Sequence, residues 1–222
     1  MHVDGCIGAL GKLAPRHRDL LAGLEAADSV ALDPHKWLHA PFEVGCALIR
    51  DPAAHLRSFS LHQEYLETSN RGLASGRWLY DYGLQTSRGF RALKVWMMLK
   101  EQGAEKFGRI IDQNIDQARR FAERLAARPD FELVAPVTLD ILCFRHRPQG
   151  VPEAGLKAVN IEIMLRLQEE GLAVLSDTTV HGTHCLRAAI CNHRTRTEDI
   201  DLVIQAIARI GAEVAKEMPA TA

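Results

Sequence analysis

Short apolar runs bounded by turn residues recur in the first fifty residues, and such runs are typical of buried strands. They cover residues 2–4, 29–32 and 44–50. Between the first two runs, residues 15–27 place leucines at helical spacing and therefore predict a helix. A strand, a helix and a strand in this order predict a crossover that leaves the two strands parallel in one sheet.

Helical patterns dominate the middle of the chain. Residues 88–101 and 105–128 carry apolar side chains at intervals of three and four, which predicts two helices that each bury one face. The elements predicted beyond them are strands at 131–135, 140–145, 172–175 and 184–190, a helix at 156–170 and a last helix capped by Thr197. The sequence therefore predicts an α/β domain at 1–104, then a linking helix and a small α+β domain at 105–222.

The composition is that of a soluble globular protein, with 47% hydrophobic and 25% charged residues. A formal net charge of −1 gives no electrostatic basis for binding nucleic acid or an anionic membrane. No apolar run approaches the ~20 residues that a membrane-spanning helix needs. The five cysteines are odd in number and include no CxxC pair, so we expect reduced thiols in a cytoplasmic protein. The spacing of the histidines predicts no metal site.

The strand predicted at 29–32 runs into the sequence DPHKW, at the sheet edge where open α/β proteins place their ligand chemistry. Apolar neighbours there disfavour the charged form of Lys36, and a lysine with a lowered pKa is a nucleophile toward carbonyl carbons. Asp4 ends the preceding strand, so a parallel crossover brings it to the same edge. A pyridoxal phosphate site needs these two groups, because the lysine binds the aldehyde and the carboxylate keeps the pyridine nitrogen protonated. The alternative interpretation of Lys36 is a solvated surface lysine.

Four stretches of the sequence carry a more specific signal. They are HVDGCIGA at 2–9, ADSVALDPHKW at 27–37, SRGFRALKVW at 87–96 and LRAAICNHRT at 186–195. In this order they resemble the pyridoxal-phosphate-dependent group II amino acid decarboxylases, which include aromatic-L-amino-acid, histidine and glutamate decarboxylases. The resemblance implies the fold type I, aspartate-aminotransferase-like architecture of pyridoxal-phosphate-dependent transferases. Residues 1–104 would be the C-terminal part of its large domain, and 105–222 would hold the small domain.

Cofactor contacts also follow from the resemblance. It implies that Lys36 binds pyridoxal 5'-phosphate as a Schiff base, with Asp4 at the pyridine nitrogen and His35 beside the phosphate. Cys6 belongs to the same set of cofactor-binding positions, although a small alanine is usual there. Asp33 stands where close relatives commonly carry asparagine, and these two departures weaken any prediction of the substrate.

Two further residues have competing interpretations. On the residue pattern alone, Tyr65 is a packing aromatic on a surface loop. The resemblance instead places it on the family's mobile loop, where a tyrosine is implicated in protonating the substrate carbon after CO2 leaves. Arg187 interrupts an apolar strand, so it either forms a structural salt bridge or, as in the family, faces the substrate carboxylate or the cofactor.

The implied reaction is loss of CO2 from an L-amino acid, expected to be aromatic, in a homodimer. Two alternatives stay open: another activity on the same cofactor fold, such as aldehyde synthesis or transamination, and a non-catalytic or degenerate fragment. In the family, the strand that ends in HVD lies in the middle of the large domain, whereas here it begins at residue 2. We therefore expect a chain truncated at its N-terminus that lacks the phosphate-binding residues and binds the cofactor weakly by itself.

Replacing Tyr65 by phenylalanine tests the implied proton donor. We expect Tyr65→Phe to slow formation of the amine or to divert the product toward the aldehyde, because the ring without its hydroxyl has no proton to donate. Amine and aldehyde are quantified by chromatography after incubation with an aromatic L-amino acid and pyridoxal phosphate. Tyr80→Phe, a matched loss of a hydroxyl, serves as the control. An unchanged rate and yield of amine in Tyr65→Phe would contradict the role.

Overall fold

The computed structural model describes residues 1–60, 69, 71–73 and 75–217. These residues form two compact units. The first unit comprises Met1–Leu10 and Leu21–Ala104, and the second comprises Gly11–Leu20 and Glu105–Ala222. Within the described ranges, no helix combines the length and the apolar character needed to cross a membrane.

A small mixed sheet belongs to the first unit. Its strands are β1 (His2–Asp4), β2 (Ser29–Leu32) and β3 (Cys46–Ile49), hydrogen-bonded in that order. β1 and β2 are parallel, as predicted. β3 is antiparallel to β2, because the link between them contains no helix that could carry the chain back for a parallel strand.

The prediction of a helix at 15–27 is wrong. Within this range the chain instead forms short 3-10 turns at Arg18–Leu21 and Leu24–Ala26, and a further 3-10 turn precedes it at Gly8–Leu13. Gly23 has a φ of 93°, a left-handed conformation that interrupts any right-handed helix. The leucines on either side therefore share helical spacing without sharing a helix.

The first unit also contains a helix that the sequence pattern does not predict, α1 (Pro52–Phe59). The pair Asp51-Pro52 marks the end of a strand, but it also starts this helix. Asp51 Oδ1 accepts hydrogen bonds from the amides of Ala53 at 2.8 Å and Ala54 at 3.0 Å. Pro52 suits the first helical position, because its nitrogen has no hydrogen that would need a partner.

The helix predicted at 88–101 forms as α2 (Arg91–Gln102), but none of its residues is buried within the described structure. Phe90, Trp96 and Met97 are 72%, 58% and 56% exposed. The prediction of a core-facing stripe is therefore wrong for this helix. Residue spacing shows that a helix has an apolar face, but it does not show what covers that face.

Residues 11–20 pack with the second unit, although they lie between β1 and β2 in the sequence. Ala14 is fully buried and His17 is 7% exposed. Nδ1 of His17 lies 2.9 Å from Asp112 Oδ1, and the amide of Arg16 donates to the same oxygen at 3.2 Å. The division predicted at residue 104 did not include this exchange of ten residues.

An antiparallel sheet and helices form the second unit. The sheet has the order β4 (Phe131–Leu133), β5 (Ile141–His146), β7 (Thr183–Ala189) and β6 (Ser176–Val180). The helices are α3 (Ala104–Ala126), α4 (Leu156–Glu169) and α5 (Thr197–Glu217). The prediction of a strand at 172–175 is wrong, since β6 begins only at Ser176.

One face of this sheet contributes to the core of the second unit. Leu142, Phe144, Leu186 and Ala188 alternate along β5 and β7, and each is at most 3% exposed. They belong to one cluster with buried residues of α3, α4 and α5: Phe121, Leu125, Val159, Ile163, Leu167, Ile204, Ile207 and Ile210. The buried stripes predicted for α3 and α5 are confirmed.

Asn160 joins α4 to the end of β5. Its side chain is buried, and Nδ2 donates to the carbonyls of His146 at 2.9 Å and Leu156 at 2.8 Å. Oδ1 accepts from the His146 amide at 2.8 Å. The Asn160 side chain thus supplies hydrogen-bond partners to both backbone groups of His146, a buried strand residue. Without Asn160 these two groups would be buried and unpaired.

Asn160→Ala tests this connection. We expect a loss of about 2–4 kcal/mol in the free energy of unfolding, because two buried backbone groups lose their partners. Urea denaturation followed by circular dichroism measures the change. Lys157→Ala, on the exposed side of the same helix, should stay within about 0.5 kcal/mol of the parent. An Asn160→Ala variant as stable as Lys157→Ala would contradict the account.

Candidate functional site

The segments that leave β1 and β2 lie side by side at one edge of the first unit's sheet. Asp4, the last residue of β1, pairs with Ala31 of β2. The pairing continues past the strands, since the Gly5 amide donates to the Ala31 carbonyl at 3.0 Å. The Asp33 amide then donates to the Cys6 carbonyl at 3.0 Å. The residues that follow one strand are therefore held against those that follow the other.

Gly5 makes this close approach possible. A Cβ atom at this position would lie 2.5 Å from Ala9 Cβ and 3.2 Å from the Ala31 carbonyl oxygen. Any side chain would therefore push the exit of β1 away from β2. The glycine fixes the spacing between Asp4 and Cys6 on one side and the DPHKW turn on the other.

Lys36 lies in a turn that begins at Asp33. The Lys36 amide donates to the Asp33 carbonyl at 2.9 Å, and Lys36 Nζ lies 2.8 Å from Asp33 Oδ2. The next residue, Trp37, is fully buried and anchors the turn. The Lys36 side chain itself is 37% exposed, so its amine is open to a ligand.

The expected lowering of the Lys36 pKa is wrong. The hydrogen bond to Asp33 raises the pKa of Lys36, and the Cys6 sulfur acts in the same direction. Burial opposes them, but the side chain is too exposed for burial to prevail. The free amine of this lysine is therefore held in its charged form.

His35 has one ring nitrogen engaged and one available. Nδ1 accepts a hydrogen bond from the Val44 amide at 3.0 Å, which places the hydrogen of the neutral ring on Nε2. Within the described residues, Nε2 has no hydrogen-bond partner. The ring also contacts Phe42, with 4.9 Å between the ring centres. His35 is therefore set as a hydrogen-bond donor through Nε2.

Helix α2 holds the loop that supplies the Val44 amide. Lys94 Nζ donates to the carbonyls of Pro41 and Glu43, each at 2.9 Å. Arg91 Nη2 lies 2.7 Å from Glu43 Oε1, and this contact lowers the pKa of the Glu43 carboxyl group. The two basic side chains of α2 therefore fix residues 41–44 from one side. The residue pattern did not predict these contacts with the 41–44 loop, although both basic residues lie in the SRGFRALKVW stretch.

One carboxylate oxygen of Asp4 accepts a hydrogen bond within the described chain, and the other does not. Oδ1 accepts from the Cys6 amide at 3.2 Å. No other hydrogen bond joins the Asp4 carboxylate to the part of the chain that the structure describes. The side chain is exposed at the sheet edge, so the second oxygen can accept a hydrogen bond from a ligand.

Arg187 lies in the second unit, on β7 opposite Cys143 of β5. Within the described ranges its side chain forms no ion pair, so the structural salt bridge considered as an alternative is not found there. Nearby Asp140 is 1% exposed, and burial raises its pKa to about 6, although the charge of Arg187 opposes this effect. Tyr65, the implied proton donor, lies outside the described residues.

Comparison with known proteins identifies the family. The domain described as the pyridoxal-dependent decarboxylase conserved domain matches residues 1–147. The chain belongs to this decarboxylase family. The aromatic-L-amino-acid decarboxylase of Bacillus atrophaeus is 33% identical, over 100% of this chain and 46% of that protein. The chain thus spans about half the length of the curated relatives it matches.

Solved decarboxylase structures share the fold. The crystal structure of Oryza sativa TDC with PLP and tryptamine matches with a TM-score of 0.86 and 28% identity, over 96% of this chain and 44% of that one. Catharanthus roseus tryptophan decarboxylase in complex with L-tryptophan matches with a TM-score of 0.82 at 28% identity, over the same shares of the two chains. These likenesses confirm the predicted fold type I architecture and the predicted cofactor class for this decarboxylase family.

The residues at the sheet edge fit pyridoxal phosphate. Lys36 offers an accessible amine, Asp4 offers a carboxylate oxygen without a donor among the described residues, and His35 offers a hydrogen on Nε2. An aldehyde, a protonated ring nitrogen and a phosphate are the complementary groups of the cofactor. Cys6 lies between two of these positions, since its amide contacts Asp4 and its sulfur faces Lys36.

The clamp on the 41–44 loop is tested by Lys94→Met, which removes two hydrogen bonds to backbone carbonyls but keeps a chain of similar length. We expect amide hydrogen exchange in the peptide 40–47 to become about fivefold faster, because the loop then opens more easily. Lys100→Met on the same helix is the matched control. Equal exchange in the two variants would show that Lys94 does not hold the loop.

Proposed function

We propose that this chain acts in the pyridoxal-phosphate-dependent decarboxylation of an aromatic L-amino acid to its amine and CO2. The observation that carries the proposal is that Asp4 and Lys36 lie on adjacent backbone segments at the same edge of two parallel strands. Membership of the decarboxylase family supports the reaction class. The aromatic substrate is supported by relatives named as aromatic-L-amino-acid and tryptophan decarboxylases.

Lys36 and Asp4 have complementary roles in this proposal. When bound, pyridoxal phosphate withdraws electrons from the substrate carbon so that its bond to the carboxylate can break. The Lys36 amine would hold the cofactor by a covalent bond to its aldehyde carbon. The second carboxylate oxygen of Asp4 would accept a hydrogen bond from the ring nitrogen and so keep a proton there.

Three other residues have proposed roles, of which that of Arg187 rests on the family resemblance. His35 donates its Nε2 hydrogen to an anionic oxygen, and the Val44 amide keeps the ring in that tautomer. Arg187 presents a planar guanidinium suited to a carboxylate. Tyr65 returns a proton to the substrate carbon, a role that rests on the family resemblance alone.

The assembly and compartment are also proposals. We infer a homodimer from the family resemblance. A cytoplasmic location is supported by the five cysteines, all of which are free in the structure.

Borohydride reduction tests the cofactor attachment. The 222-residue chain is incubated with excess pyridoxal phosphate, reduced and mapped by mass spectrometry. We expect the cofactor on Lys36, because its side chain is accessible and its amine lies beside Asp33 and Cys6. Lys36→Arg should lose the label and keep its fold. A label on Lys12 or Lys94 in place of Lys36 would overturn the assignment.

The reaction class is tested in the same preparation with an aromatic L-amino acid. Decarboxylation predicts equal amounts of CO2 and amine without release of ammonia, whereas aldehyde synthesis releases ammonia as well. The measurements are trapped CO2, amine by chromatography and ammonia by a coupled assay. Release of ammonia in an amount equal to CO2 would contradict this proposal and favour aldehyde synthesis.

A further inference from the structure

Asp33 is the one acidic side chain in direct contact with Lys36 in the described part of the chain. Its Oδ2 lies 2.8 Å from Lys36 Nζ, with the carboxylate 25% exposed. A hydrogen-bonded carboxylate at this distance stabilises the ammonium form of the amine. The contact involves the same nitrogen atom that the proposed function uses.

The backbone and the packing hold this carboxylate in place. The Asp33 amide donates to the Cys6 carbonyl, and the Asp33 carbonyl accepts from the Lys36 amide. The other carboxylate oxygen, Oδ1, lies 3.3 Å from the place that a Cβ on Gly45 would occupy. A residue with a side chain at 45 would therefore crowd the carboxylate, and glycine leaves room for it.

Two groups act on the charge of Lys36. Asp33 raises the pKa of the amine through its hydrogen bond and its charge, and the Cys6 sulfur adds to the effect. Burial acts in the opposite direction. A raised pKa means a smaller neutral fraction at any pH below it, so we expect Lys36 to react more slowly near neutral pH than an ordinary lysine.

We propose that Asp33 is a catalytic residue that holds the proton of Lys36 and so sets the pH at which this amine becomes a nucleophile. The proposal deepens the proposed function and rests on it for the role of Lys36. When the amine is free, the Asp33 carboxylate keeps it as an ammonium ion. The amine becomes reactive when the ammonium ion gives its proton to water or hydroxide, which leaves a neutral amine with a free electron pair beside the ionised Asp33 carboxylate. A proton from solvent returns to Nζ when the amine is released.

Competitive labelling with trace acetic anhydride measures this directly, in the absence of pyridoxal phosphate. The 222-residue chain is labelled between pH 7 and pH 11, and acetylation of Lys36 is expressed relative to the exposed Lys216. Asp33→Asn keeps the size of the side chain and removes its charge. We expect its Lys36 to react about two- to fivefold faster at pH 8, the range that a partly exposed ion pair supports. The two profiles should converge at high pH, where the amine is neutral in both proteins.

Asp19→Asn, at an exposed position, makes the same change in net charge and should leave the Lys36 profile as in the parent. A folded Asp33→Asn variant with the parent's pH profile would overturn the proposal. A purely structural role of Asp33 would change stability without moving this profile. Circular dichroism establishes that each variant is folded.

A second measurement on the parent chain covers the case in which Asp33→Asn does not fold. Raising the salt concentration from about 0.05 M to about 1 M screens an ion pair at the surface. We expect the reactivity of Lys36 at pH 8 to rise relative to Lys216. No change with salt would count against the ion pair as the control of Lys36.

These outcomes are separate from those of the borohydride mapping. A shifted labelling profile with the cofactor on another lysine would leave the Asp33–Lys36 pair intact and overturn the proposed function. Attachment at Lys36 with an unshifted profile would overturn the role of Asp33 alone.

Discussion

The close approach of two backbone segments at Gly5 is the constraint on which the candidate site depends. A single Cβ atom there would meet both Ala9 and the Ala31 carbonyl. Because the position is glycine, the hydrogen bonds of the parallel pair extend past Asp4 and bring Cys6 beside Asp33. The contact of Lys36 with the Cys6 thiol follows from this alignment, whereas its contact with Asp33 forms within the turn. The backbone pairing at this sheet edge thus determines that Cys6 and Asp33 are neighbours.

The candidate site could be located from the sequence because its parts are local. The apolar run at 29–32 and the DPHKW turn predict a strand and its exit, and the register of Asp4 with Ala31 agrees with that prediction. The electrostatics could not be predicted in the same way. The expected desolvation of Lys36 assumed apolar neighbours, whereas the turn places Asp33 three residues earlier within hydrogen-bond distance of the amine. The sequence does contain a signal for this contact, because Asp33 and Lys36 are three residues apart in a predicted turn.

Long-range organisation was harder to derive than local structure. Leucine spacing at 15–27 resembles a helix, but Gly23 adopts a left-handed conformation that no spacing reveals. The stripe of α2 is amphipathic in sequence, yet Trp96 and Met97 remain exposed within the described structure. In contrast, α3 and α5 follow their patterns, because each packs against the antiparallel sheet of its own unit. Patterns predict which face of an element is apolar, and only tertiary contacts decide whether that face is buried.

The exchange of residues 11–20 between the units has a consequence for how the chain can be divided. The polypeptide passes from one unit to the other at residues 10–11, 20–21 and 104–105, so three covalent links join them. A single cut at residue 104 does not separate two complete folding units. It would leave Ala14 and His17 on a fragment that lacks Asp112 and the helix that carries it. Each unit is therefore complete only in the continuous chain. The segment between Asp4 and Lys36 contributes residues to both units.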